Sequence, residues 1–177
     1  MSYFPYIATP QSRANIRENV LRIRKALGYE NEFYFPIVEF LEIQYVKYDP
    51  DFNLIVVEDD ELESGVQALA IPEEHTIKVK QSVYNGAVDG TGVHRLSLAH
   101  EFGHLIMHCE QSPIILQRNT SHRKLKAFED PEWQAEVFGA ELLVPHNLIG
   151  GVPADVISNM CGVSLKCANC QIKNYNK

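Results

Sequence analysis

The 177-residue chain has no apolar run approaching the ~18 residues of a membrane span, so a helical membrane protein is not expected. Its first ten residues, MSYFPYIATP, show no basic cluster followed by an apolar stretch; no secretory signal is read and a cytoplasmic location is expected. Positive charge is in deficit, with 16 Lys and Arg against 23 Asp and Glu and a formal net charge of −7. A direct nucleic-acid partner needs clustered basic residues for its phosphates and is therefore not expected. Four cysteines are too few for a disulfide scaffold, and in a cytosolic chain they stay reduced unless a metal holds them. No internal repeat, low-complexity tract or Gly/Ser linker marks a boundary. Residues 1–177 thus read as one domain, long enough to bury roughly 70% of its unfolded surface.

What is present is ordinary globular composition, 45% hydrophobic and 10% aromatic. From Gln11 to Leu27, Ile16, Val20, Leu21, Ile23 and Leu27 recur at helical spacing, and Gly28 supplies a stop. The basic run Arg22, Arg24 and Lys25 reads as the wet face of that helix. A short helix begins near Pro36, with Ile37, Phe40 and Leu41 inward. Ile43 to Tyr48 and Asn53 to Val57 are β-branched and aromatic, which predicts strand, turn, strand across Asp49, Pro50 and Asp51. Gln67 to Ile71 and Thr76 to Lys80 follow as two more strands. After a flexible NGAVDGTG segment, helical spacing resumes from Val93 to about Cys109. Further helices are predicted at Pro131 to Leu143, Pro153 to Met160 and Ser164 to Lys173, with a turn at His146 to Ile149. Helices, then a small, mostly antiparallel sheet of three to four strands, then helices again make the fold class α+β.

The chemistry concentrates in Leu98-Ala99-His100-Glu101-Phe102-Gly103-His104-Leu105. Two histidines four apart on a helix lie about 6 Å apart along its axis on one face, so both imidazoles can reach one ion. This is HExxH, in which the intervening Glu101 can act as the base toward a metal-activated water. The apolar flanks Leu98, Ala99, Phe102 and Leu105 place the helix in the core, where unpartnered His and Glu would be costly. His108 completes HExxHxxxH. Eight residues span about 12 Å of axis, too far for three imidazoles to share one ion, so His108 reads as a supporting or structural residue. A third ligand is sought instead in the Glu132 and Glu136 pair, which shares one helix face. One carboxylate can bind the ion while the other accepts the free N–H of a ligating imidazole.

These segments resemble the ImmA/IrrE family of zinc metallopeptidases. AHEFGHLIMH resembles the family's active-site helix, PEWQAEVFGAELLVP its E-x-x-A-N-x-F-A-A-x-L-L-x-P segment, and GVSLKCANCQIKN its short C-terminal helix. The resemblance spans about Val93 to Lys173 and implies a zincin-like, gluzincin-type domain. It implies that His100, His104 and Glu132 bind Zn2+ and that Glu101 is the catalytic base. Glu136 stands where the family usually has Asn or Asp, and Gln171 near a position often held by Arg. The family's typical substrate is a helix-turn-helix repressor, cleaved by cytosolic enzymes often encoded on phages or mobile elements as anti-repressors. Tyr84, His94 and His122 are available to hold a developing oxyanion. The alternatives are a zinc-stabilised module that binds a partner protein without cleaving it, or a toxin–antitoxin component. Cys161, Cys167 and Cys170 form C-x5-C-x2-C and are read as packing residues rather than ligands.

Overall fold

The computed structural model describes residues 6–109, 116–118 and 125–176. A short strand β1 (Tyr6–Ala8) leads into helix α1 (Arg13–Ala26). The Ser12 hydroxyl caps α1 by accepting the Asn15 N–H at 3.1 Å, and Gly28 leaves the helix at φ +80°. Ile16, Val20 and Arg24 form the buried stripe of α1. Arg24 is thus not on the wet face. Its guanidinium donates to the carbonyls of Leu142, at 2.5 Å, and Glu32, and burial lowers its pKa to about 10.

The next segment also departs from expectation. Helix α2 (Ile37–Glu39) runs on through a π turn at Phe40–Gln44 and a 3₁₀ turn at Tyr45–Lys47, where a strand was expected. The cause is packing: the Tyr45 ring must reach Phe40, Phe52 and Phe102, with centroids 5.8, 4.9 and 5.0 Å away. A helical wind brings Phe40, Leu41 and Tyr45 to one side and leaves Ile43, Val46 and Tyr48 exposed.

Strands β2 (Asn53–Val57), β3 (Ala68–Ile71) and β4 (Thr76–Lys80) form a sheet of order β2-β4-β3. β4 runs antiparallel to β3 but parallel to β2, so the sheet is mixed rather than mostly antiparallel. With the Ile43–Tyr48 strand absent, β2 has no hairpin partner, and the 58–67 loop carries the chain across β4 to its other side. A 3₁₀ turn at Pro72–Glu74 and a left-handed His75 (φ 50°) join β3 to β4.

Helix α3 (Gln81–Val88) occupies much of the segment expected to be flexible. Gly86 is there because a Cβ would stand 1.9 Å from the His94 ring, so packing rather than loop geometry requires it. Helix α4 (Gly92–Met107) is followed by β5 (Leu116–Arg118), which pairs antiparallel with β1. Helix α5 (Pro131–Leu143) starts with Pro at its first position, and the Asp130 carboxylate accepts the Glu132 N–H at 3.0 Å. Helices α6 (Ala154–Cys161) and α7 (Leu165–Lys173) close the chain. Among the described residues no helix is long and apolar enough to cross a membrane.

α4 and α5 cross at small residues: Gly103 faces Ala135 and Phe138, and Gly139 faces the backbone of Ala99 and His100. Their larger side chains, Leu98, Phe102, Phe138 and Leu142, fill the core with Ile16 and Val20 of α1. Arg95, 1% exposed, donates to the carbonyls of Cys161, Gly162 and Phe35 and so ties α4 to the α6–α7 turn. Buried Glu141 holds Arg13 at 3.1 Å and Arg17 at 3.2 Å, fastening α1 to α5, while Gln171 accepts from Arg13. Cys161 and Cys167 are buried, and burial pushes their thiols up to about 11 and 12. Cys170 instead faces solvent, where Asn174 contacts its sulfur at 3.5 Å.

Candidate metal centre

The α4–α5 crossing sets the site. His100 and His104, one turn apart on α4, turn their Nε2 atoms toward one another at 3.1 Å. From the first turn of α5, Glu132 meets both: one oxygen stands 3.2 Å from His100 Nε2 and the other 3.3 Å from His104 Nε2. The three donor groups lie within 4.8 Å of one another, and the Glu132 side chain is 46% exposed. Four ligands about 2.0–2.1 Å from a tetrahedral ion stand roughly 3.3 Å apart, so this spacing fits a shared divalent cation. Chemistry agrees. Two ring nitrogens and a carboxylate converge on one point, a donor set that could hold a metal ion.

Electrostatics tie the three groups further. The hydrogen bond from His100, with His104 close beside it, holds the Glu132 carboxyl well below the usual carboxylate range. Burial draws His100 down, but its contact with Glu132 and the charges of Glu101, Glu132 and Glu136 outweigh it and raise the net value. Burial also lifts the Glu101 carboxyl above its ordinary value, against the pull of His100 and His104.

Glu101 is held from the sheet side. One of its oxygens accepts the Ala70 N–H at 2.8 Å. The Gln67 carbonyl accepts from Lys80 N–H on the opposite side of β3. Because strand backbone groups alternate in direction, those of Ala68 and Ala70 face away from β4 and toward α4. β3 is therefore the edge of the sheet that borders the cleft, and Thr76–Lys80 is the central strand. Between β3 and α4 lies a cleft of about 640 Å³. Its floor is His100, Glu101, His104 and Glu132; its walls include Leu69, Ala70, Val93 and Leu96, and its rim includes Glu73 and Glu136.

The other expected site residues fall in different places. Glu136 lines the cleft and acts on His100 through its charge. The hydrogen-bonded neighbour of His104 is His108, Nδ1 to Nδ1 at 3.0 Å, rather than Glu136. His108 is 8% exposed, and burial drives it down to about 4, so it is neutral. Tyr84 does not line the cleft; its hydroxyl donates to Glu42 at 2.5 Å. His94 packs beneath Gly86, and its Nδ1 is buried without a hydrogen-bond partner. His122 lies outside the described residues. Gln134 was not foreseen. It is fully buried, its Oε1 stands 3.1 Å from His108 Nε2, and its Nε2 donates to the carbonyls of Thr9 and Phe128, both at 2.9 Å. A polar residue two positions after Glu132 on an otherwise core-facing helix was the available signal.

The sequence over residues 85–153 matches the family profile of the IrrE N-terminal-like domain, a peptidase family. No curated protein matches the chain. A solved structure described as a Mycobacterium tuberculosis transcriptional regulator is similar to it, with a TM-score of 0.52 at 12% sequence identity over 86% of this chain. That likeness concerns the fold alone, and the chain spans 45% of the length of that protein. Residues 85–153, which carry both site helices, are thus similar to the IrrE N-terminal-like domain of a peptidase family.

Proposed function

We propose that the chain is a zinc-dependent endopeptidase that acts in the cytosol on a helix-turn-helix repressor, in the manner of an anti-repressor. The observation that carries this reading is the convergence of His100, His104 and Glu132 beside Glu101, on the floor of a cleft that one free strand edge borders. Glu132 and the two imidazoles would hold the ion. When bound, zinc supplies a Lewis acid that polarises a peptide carbonyl and acidifies water.

The rest belongs to the chain. Ala68 offers its N–H and C=O to an extended peptide, which can add to β3 as a further strand and lie across Glu101. Leu69, Val93 and Leu96 offer apolar contact to its side chains. Glu101 takes the proton from the attacking water and returns it to the leaving amine nitrogen, so one carboxylate serves both halves of the reaction. The net charge of −7 and the acidic rim at Glu73 and Glu136 disfavour nucleic acid in the cleft, leaving DNA contact to the repressor.

The test is incubation of zinc-loaded protein with purified helix-turn-helix repressors from the same genome, with fragments mapped by mass spectrometry. Cleavage at one bond is expected, together with a loss of at least about 100-fold in Glu101→Gln, which keeps its zinc. A variant that loses cleavage only because it loses metal would not support the role of Glu101. If the wild type binds the repressor intact and Glu101→Gln relieves repression equally well, the chain is a non-proteolytic binding module.

A further inference from the structure

The free N–H of a metal-ligating imidazole usually rests on a carboxylate, carbonyl or water, which fixes its tautomer. Here the neighbour of His104 is another imidazole, which could serve as donor or acceptor. Gln134 decides which. Its amide faces two backbone carbonyls, Thr9 and Phe128, each 2.9 Å away. Carbonyl oxygens only accept, so the atom facing them is the NH₂ group, and Oε1 is turned to His108 Nε2 at 3.1 Å. His108 Nε2 must therefore carry its proton. A buried imidazole between an amide oxygen and a second imidazole is strongly disfavoured as a cation, so it carries that proton alone and its Nδ1 is a bare acceptor. His104 Nδ1, 3.0 Å away, must then donate. One ring position remains, and His104 Nε2 presents its lone pair to His100 Nε2 and Glu132.

We propose that Gln134 and His108 are positioning residues which, anchored on the backbone carbonyls of Thr9 and Phe128, hold His104 in the tautomer that binds the metal. The inference rests on the metal-site reading above. It concerns residues that lie behind the ligands and do not themselves reach the ion. It also gives the N-terminal segment a part in the site: Thr9 follows β1, and its carbonyl is an end point of the chain of hydrogen bonds that orients His104.

Two measurements test it. Long-range proton–nitrogen NMR spectra of the metal-free protein should show His104 protonated at Nδ1 and bare at Nε2, with His108 protonated at Nε2. The reverse pattern at His104 overturns the proposal whatever the protein does with zinc. Competition with a fluorescent chelator then measures zinc affinity. His108→Leu, which removes the acceptor, is expected to weaken zinc about 10- to 100-fold. His108→Asn, whose Oδ1 sits near the place of the ring Nδ1, is expected to recover most of that loss. Equal affinity in wild type and His108→Leu, or equal weakening in the Leu and Asn variants, overturns the relay while leaving the metal site standing. A wild-type protein that binds no zinc, with the expected tautomers in its spectra, removes the metal-site reading but not the hydrogen-bond order.

Discussion

Gly139→Ala probes how closely the site depends on the approach of α4 and α5. A Cβ at this position would stand 2.9 Å from His100 N, 3.0 Å from Ala99 C and 3.2 Å from Ala99 O. Ordinary contacts of this kind are about 3.5–4.0 Å, so the helices must part by roughly 0.5–1 Å. The atoms in the way are α4 backbone, which cannot swing aside as a side chain can. Overpacking of this kind costs about 1–3 kcal/mol, which in a chain of this length lowers Tm by about 2–12 °C. The parting falls on the helix pair that carries His100 on one side and Glu132 on the other. Ligand distances tolerate only about 0.2 Å, so zinc affinity should fall by about 10-fold or more. Gly103→Ala is a graded comparison. There a Phe138 ring carbon at 3.1 Å can yield and the nearest backbone atom, the Ala135 oxygen, is 3.2 Å away, so a smaller effect is expected. Differential scanning fluorimetry and chelator competition on both variants provide the assay. A Gly139→Ala protein whose Tm lies within 1 °C of wild type and whose zinc affinity is unchanged would refute the packing argument.

Arg24→Met should destabilise the fold by about 2–4 kcal/mol, because it leaves the Leu142 and Glu32 carbonyls without their donor in a buried setting. Chemical denaturation measures this, and a midpoint equal to wild type would return Arg24 to the solvent face. His75 contacts Asp49 at 2.7 Å, and that hydrogen bond and charge raise its pKa above the ordinary 6.5. The stabilisation is therefore complete below pH 6.5 and lost as pH rises through the higher folded value. An NMR titration should show His75 above 6.5 and returning toward it in Asp49→Asn; equal values in the two proteins would contradict the pairing.

The site was legible in sequence because its chemistry is local. The i, i+4 spacing of His100 and His104 puts two donors on one face of any helix, and Asp130-Pro131-Glu132 opens α5 in a way that propensity alone prescribes. β2 and β4 were readable to the residue for the same reason, as short β-branched runs between turn residues. What escaped was set by distant contacts. Ile43–Tyr48 has the composition of a strand, but the rings of Phe52 and Phe102 from other segments claim Tyr45, and a helical wind also sets it against Phe40. Asn85-Gly86 reads as a turn, and only the His94 ring above it explains a glycine inside a helix. Arg24 stands four residues after Val20 and eight after Ile16, on the stripe that their burial defines, yet its charge argued for solvent; the carbonyls that accept from it lie 8 and 118 residues away. Gln134 was hidden between two carboxylates that seemed the stronger partners for an imidazole. Its position behind His108 depends on the α4–α5 crossing, which no local pattern encodes.

The central claim is that one zinc ion is gripped by two imidazoles of α4 and a carboxylate of α5. Crystals of the zinc-loaded protein, measured on both sides of the zinc absorption edge, test it directly. A single anomalous peak is expected, about 2.0–2.2 Å from His100 Nε2, His104 Nε2 and a Glu132 oxygen. A map with no peak between those three atoms, or with the zinc seated elsewhere, contradicts the account.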